Sequence, residues 1–108
     1  MDTDKVYVII GNGMLWCRGG GSGGSNQGFR KTKLHVAAQF STSERARTKL
    51  EDQTTTARNQ LESYLAQTPS TDGSYPSAEY VTYWVNYWRE QLAAYEAARV
   101  TEVILTAQ

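Results

Sequence analysis

The sequence predicts a small α+β domain, a short antiparallel sheet packed on one face against two antiparallel helices. Three observations predict it. Residues 5–10 are apolar and mostly β-branched, and Asn12-Gly13, the preferred pair of a tight hairpin turn, follows at once. Two long stretches of helical periodicity then run on either side of a linker rich in Pro, Gly and Ser. Finally, Val100 to Thr106 returns to a β-branched pattern, which supplies a closing strand. With 108 residues, 40% of them apolar, the chain suits one domain with a modest core.

Along the chain, Lys5-Val6-Tyr7-Val8-Ile9-Ile10 is apolar on both faces, as suits a strand buried within a sheet. After the Gly11-Asn12-Gly13 turn, Met14 to Arg18 forms the second strand, with Leu15 and Cys17 on one side and Met14 and Trp16 on the other. Reading Gly11 and Gly13 as a dinucleotide fingerprint fails, because its third glycine falls at Trp16 and no helix follows. Gly19 to Gly28 is glycine and small polar residues throughout and predicts a mobile loop, leading to a polar edge strand over Phe29 to Lys33. Leu34, Ala37 and Phe40, three apart, suggest a short helical turn that tucks apolar side chains under the sheet.

Ser41-x-x-Glu44 reads as a capping box at the start of a helix from Thr42 to Gln67. Its apolar face is thin: Ala46, Leu50, Ala57, Leu61 and Leu65, with Tyr64 beside it. Thr54-Thr55-Thr56, three β-branched residues, predicts a bend or weak segment. Residues 68–75 form the interhelix linker. The second helix, Pro76 to Arg99, places Val81, Trp84, Val85, Trp88, Leu92 and Tyr95 on one face, so both tryptophans are assigned to the core. Tyr80, Tyr83 and Tyr87 form a second stripe beside it. That stripe is either a second core face or an interaction surface.

The order strand, turn, strand, then Leu34-x-x-Ala37-x-x-Phe40-x-Thr42-x-x-x-Ala46 opening a helix, resembles small phage-encoded proteins of unknown function. The resemblance covers roughly the first half of the chain, and the long glycine loop departs from the short hairpin usual among them. It is a packing pattern and carries no catalytic motif. Several small phage proteins of this size inhibit host enzymes or defence systems. The resemblance therefore implies an accessory protein that binds and inhibits or modulates a host protein, such as a CRISPR–Cas component.

Composition narrows the chemistry. The formal net charge is zero, which argues against a dedicated duplex binder, although residues 1–49 carry eight Lys/Arg against three Asp/Glu and residues 50–108 the reverse. Cys17 is the only cysteine and His35 the only histidine, so neither an internal disulfide nor a zinc site is expected, and every catalytic triad would have to use His35. No catalytic residue, metal or cofactor is therefore assigned. The longest apolar run, Val6 to Ile10, is too short to span a bilayer and no signal-peptide pattern opens the chain, so a cytoplasmic location without membrane contact is expected.

The expected function is non-catalytic binding of a host protein or protein–nucleic-acid complex. Tyr80, Tyr83 and Tyr87 supply contact area, and Glu79 and Glu90 edge the strip with charge that suits a basic target. A homo-oligomer through the same strip is the related expectation. The alternative is a nucleic-acid or nucleotide-binding module using the glycine loop and the basic residues Arg18, Arg30, Lys31, Lys33, Arg45, Arg47 and Lys49.

Overall fold

The computed structural model describes residues 4–19 and 27–105. Strands β1 (Asp4–Gly11) and β2 (Met14–Cys17) form the N-terminal hairpin. Asn12 and Gly13 are its two-residue loop, both with positive φ, the turn whose twist matches that of the flanking strands. Strand β3 (Gly28–Arg30) pairs with β2, and β4 (Arg99–Leu105) pairs with β1, giving the all-antiparallel order β3-β2-β1-β4. Helices α1 (Ser43–Leu65) and α2 (Ala78–Ala97) complete the α+β fold. Most of the glycine loop expected over residues 19–28 lies outside the described residues, and Gly28 already belongs to β3.

The central position of β1 explains its two apolar faces. Val8 and Ile9 point to opposite sides and both are fully buried. Ile9, Met14, Trp16 and Phe29 form the helix-facing side, joined by Ala46 and Ala57 of α1 and by Ala94 and Tyr95 of α2. The Trp16 indole N–H donates to the Tyr95 hydroxyl at 2.8 Å, so the largest core side chain leaves no polar atom unpaired. Burial pushes the Tyr95 hydroxyl pKa up, against the opposing effect of the Trp16 hydrogen bond. Gly11 lets α2 settle onto the hairpin, because a Cβ there would lie 2.2 Å from the Ala94 carbonyl oxygen.

The sheet splits below the hairpin, and the segment after the glycine loop fills the gap. Phe40 exchanges both backbone hydrogen bonds with Tyr7 of β1, at 2.8 and 2.9 Å, while the Ala38 N–H donates 3.0 Å to the Trp16 carbonyl of β2. The expected apolar turn exists as a 3-10 turn over Leu34–Val36, but it tucks in only partly. Ala37 and Phe40 are buried, whereas Leu34 is 40% exposed, because the turn ends before the inserted segment begins.

Two local expectations for α1 are corrected. The N-cap is Thr42, whose hydroxyl accepts from the Arg45 N–H at 3.1 Å, so the Ser41–Glu44 box does not form. Phe40 is held in the sheet, and Thr42, two residues on, has the extended backbone of an N-cap. Thr54, Thr55 and Thr56 do not interrupt the helix. Each hydroxyl donates to the carbonyl four residues earlier (Leu50, Glu51 and Asp52), and the helix passes through unbroken.

The linker is ordered by its own polar groups. The Ser70 and Ser74 hydroxyls and the Ser74 N–H all donate to the Asp72 carboxylate, which holds its pKa well below the usual carboxylate range. Ser77 then caps α2 by accepting from the Tyr80 N–H at 3.1 Å.

The molecule is elongated, 66 × 25 × 21 Å. Beyond Ala57 in α1 and before Trp88 in α2, neither helix contributes a residue to the sheet core. These distal halves and their linker form a two-helix arm.

Candidate functional site

Seven aromatic rings run along the arm and down to the sheet, and contacts between them are nearly continuous. Tyr75 packs on Tyr80 at 5.0 Å between centroids, and Tyr80 meets both Tyr64 of α1 and Trp84. Tyr64 stacks nearly parallel to Trp84, at 5.8 Å and 16°. Tyr83 and Tyr87 each meet Trp84 in a T-shaped contact, at 5.1 and 5.3 Å, and Tyr87 meets Trp88 in the same way at 5.1 Å. Edge-to-face and offset contacts of this kind are favourable beyond the area they bury.

Trp84 is therefore not a core residue. It is half-buried and sits at the hub of the ring chain, while Trp88 alone of the two packs against the sheet core. The physical reason is the arm: at Trp84 the apolar face of α2 has left the sheet and meets only α1. Val81 and Val85 occupy the part of that face that is buried.

The tyrosine stripe divides by position. Tyr80 is half-buried among Tyr64, Tyr75 and Trp84, where it joins the two helices. Tyr83 is 61% exposed and Tyr75 is 75% exposed. Tyr87 is half-buried, and burial and the neighbouring Tyr83 push its hydroxyl pKa up. Tyr83, Asn86, Tyr87 and Glu90 line a surface notch of about 280 Å³. On the other side of Tyr87, a second notch of about 240 Å³ is lined by Gly28, Phe29 and Arg30. Glu79 is exposed in the first turn of α2, where its carboxylate suits the helix dipole.

The seven basic candidates also separate. Arg18, Arg45 and Lys49 converge on one cleft of about 790 Å³ beside the start of α1. Arg30 belongs with Tyr87, as described. Lys31 and Lys33 are exposed beyond β3, and Arg47 is exposed on α1; none of the three lines the cleft.

Gln91 was not singled out by the sequence and is the most constrained polar residue of α2. It is 5% exposed, accepts from the Phe29 N–H at 2.8 Å and donates to the Phe29 carbonyl at 3.2 Å. Its amide thus replaces a neighbouring strand at the outer edge of β3. Gly28 leaves room for it, since a Cβ there would come within 2.8 Å of the Gln91 Oε1. The only signal in the sequence was a glutamine lying between Trp88 and Tyr95 of the core face.

His35 is exposed in the 3-10 turn, and Cys17 is buried with its thiol turned to the Leu15 carbonyl, so the two share no site. Among the described residues no group of three or more His, Cys, Asp or Glu is placed to hold a metal, and no helix is long and apolar enough to cross a membrane. The arrangement defines a small α+β protein with a sheet-anchored helical arm, aromatic along its length. Comparison with protein-family models, curated proteins and solved structures finds no match.

Proposed function

We propose that this is a non-enzymatic binding protein that docks the aromatic ridge of α2 onto a basic surface of a partner protein, and blocks that surface as a phage-type accessory inhibitor would. The observation that carries the reading is the notch formed by Tyr83, Asn86, Tyr87 and Glu90. Two tyrosine rings and a carboxylate lining one notch suit the ammonium or guanidinium of a Lys or Arg side chain, through cation–π attraction and charge pairing together. Exposure of Tyr83 supports it, because a ring that packs on Trp84 and stays 61% exposed offers contact area for a partner to cover. The surrounding ridge adds apolar area, and Glu90 and Glu79 steer a basic partner during approach.

The test is affinity capture from a bacterial lysate with tagged wild-type protein and with Tyr83→Ala and Glu90→Lys variants. A basic protein retained by the wild type should be lost by both variants, with melting temperatures unchanged. Capture of the same proteins by all three would refute the ridge as the contact.

A further inference from the structure

We propose that the cleft between the end of β2 and the first half of α1 is a second binding site, for a nucleoside phosphate. Arg18 enters it from just beyond β2, while Arg45 and Lys49 enter one turn apart from α1. None of the three is in an ion pair among the described residues, where Lys5–Glu102 is the pair that forms. Three like charges facing one cavity repel each other, and a phosphate group relieves that repulsion while accepting from all three.

One cation is positioned by a side-chain contact, and the other two by the start of α1. The Arg18 guanidinium lies over the Phe40 ring, 4.6 Å from its centroid, which fixes its plane and leaves its N–H edge for a ligand. Phe40 is itself pinned by its two hydrogen bonds to Tyr7, and α1 begins two residues later at its Thr42 cap. The inserted segment therefore sets the separation between Arg18 and the two cations of α1.

The same cleft carries Glu44 and Asp52, eight residues apart on α1 and on either side of Arg45 and Lys49. Carboxylates repel a phosphate but accept hydrogen bonds from ribose hydroxyls and base amino groups. A lining of three cations bracketed by two carboxylates matches a ligand with one anionic end and a neutral, hydroxyl-rich remainder. It matches a polyanionic duplex poorly. A volume of about 790 Å³ lies in the ordinary range for small-molecule sites.

Isothermal titration calorimetry of the full chain tests this, using AMP, GMP, CMP, UMP, adenosine, inorganic phosphate and a single-stranded RNA decamer. At least one nucleotide should bind at least tenfold more tightly than either adenosine or inorganic phosphate. Arg45→Ala and Lys49→Ala should each weaken that binding tenfold or more, with melting temperature unchanged. Arg47→Ala, on the same helix but outside the cleft, should leave it intact. Silence with all four nucleotides at millimolar concentration would overturn the proposal, as would equal losses from Arg47→Ala and Arg45→Ala. Binding of the RNA alone would also overturn it, placing a strand in the cleft instead.

Discussion

Gln91 and Thr42 show how single side chains complete this fold. Phe29 turns its N–H and C=O away from β2, towards what would be open solvent or another chain's strand, and the Gln91 amide satisfies both. Gln91→Ala leaves two buried backbone groups unpaired, and the expected cost is about 1–3 kcal/mol, read from denaturant unfolding. Gln91→Glu still accepts from the Phe29 N–H but, when ionised, turns an oxygen on the Phe29 carbonyl. Because burial and that carbonyl favour the protonated form, its folded pKa should be raised. The Gln91→Glu variant should therefore gain stability, relative to the wild type, as pH falls from neutral through that pKa. A pH-independent difference would show that the glutamate has turned away from Phe29. At the start of α1, Thr42→Ala should cost about 1 kcal/mol, while Ser41→Ala should lie within about 0.5 kcal/mol of the wild type. Thermal melts of the two variants decide which residue is the cap. The sequence offers two hydroxyls side by side, and the structure uses the second, two residues after Phe40 leaves its long-range pairing with Tyr7.

At the scale of elements, periodicity located both helices, the hairpin and the closing strand to within about two residues. It also assigned the facing of β2 correctly: Met14 and Trp16 lie in the core with the helices, and Leu15 and Cys17 point to the other side. Periodicity failed where an element outruns its support. The apolar stripe of α2 is one continuous pattern, yet its C-terminal half packs on a sheet and its N-terminal half only on α1. Trp88→Ala should accordingly lower global stability by up to about 3–5 kcal/mol, since it removes a large, partly buried ring packed against the core. Trp84→Ala should instead loosen the arm. Hydrogen exchange should accelerate at residues 60–70 and 78–86, while β1 and β2 keep their protection. Equal loss of protection in sheet and arm would mean that the two form one cooperative unit. The three threonines of α1 are poor helix formers by propensity, and the helix absorbs them by back-bonding. Thr55, exposed and in no tertiary contact that needs its hydroxyl, should raise the melting temperature slightly when changed to Ala, by about 0.3–0.7 kcal/mol of added stability.

For the whole molecule, local pattern determined the composition of the fold: two helices, a tight Asn-Gly hairpin and a final β-branched strand. These features are readable because each depends on neighbours within a few positions, through turn geometry or side-chain periodicity. The tertiary structure alone decided what lies beside what. It split the sheet and placed Ala38–Phe40 in the gap. It seated Gln91 against Phe29, 62 residues away, and extended the helices past the sheet so that Trp84 left the core. It also sorted seven basic residues into three that share a cleft and four that do not. Such contacts join segments whose separate patterns carry no information about each other. Their energies arise only once segments far apart in sequence, such as β1 and β4, have paired.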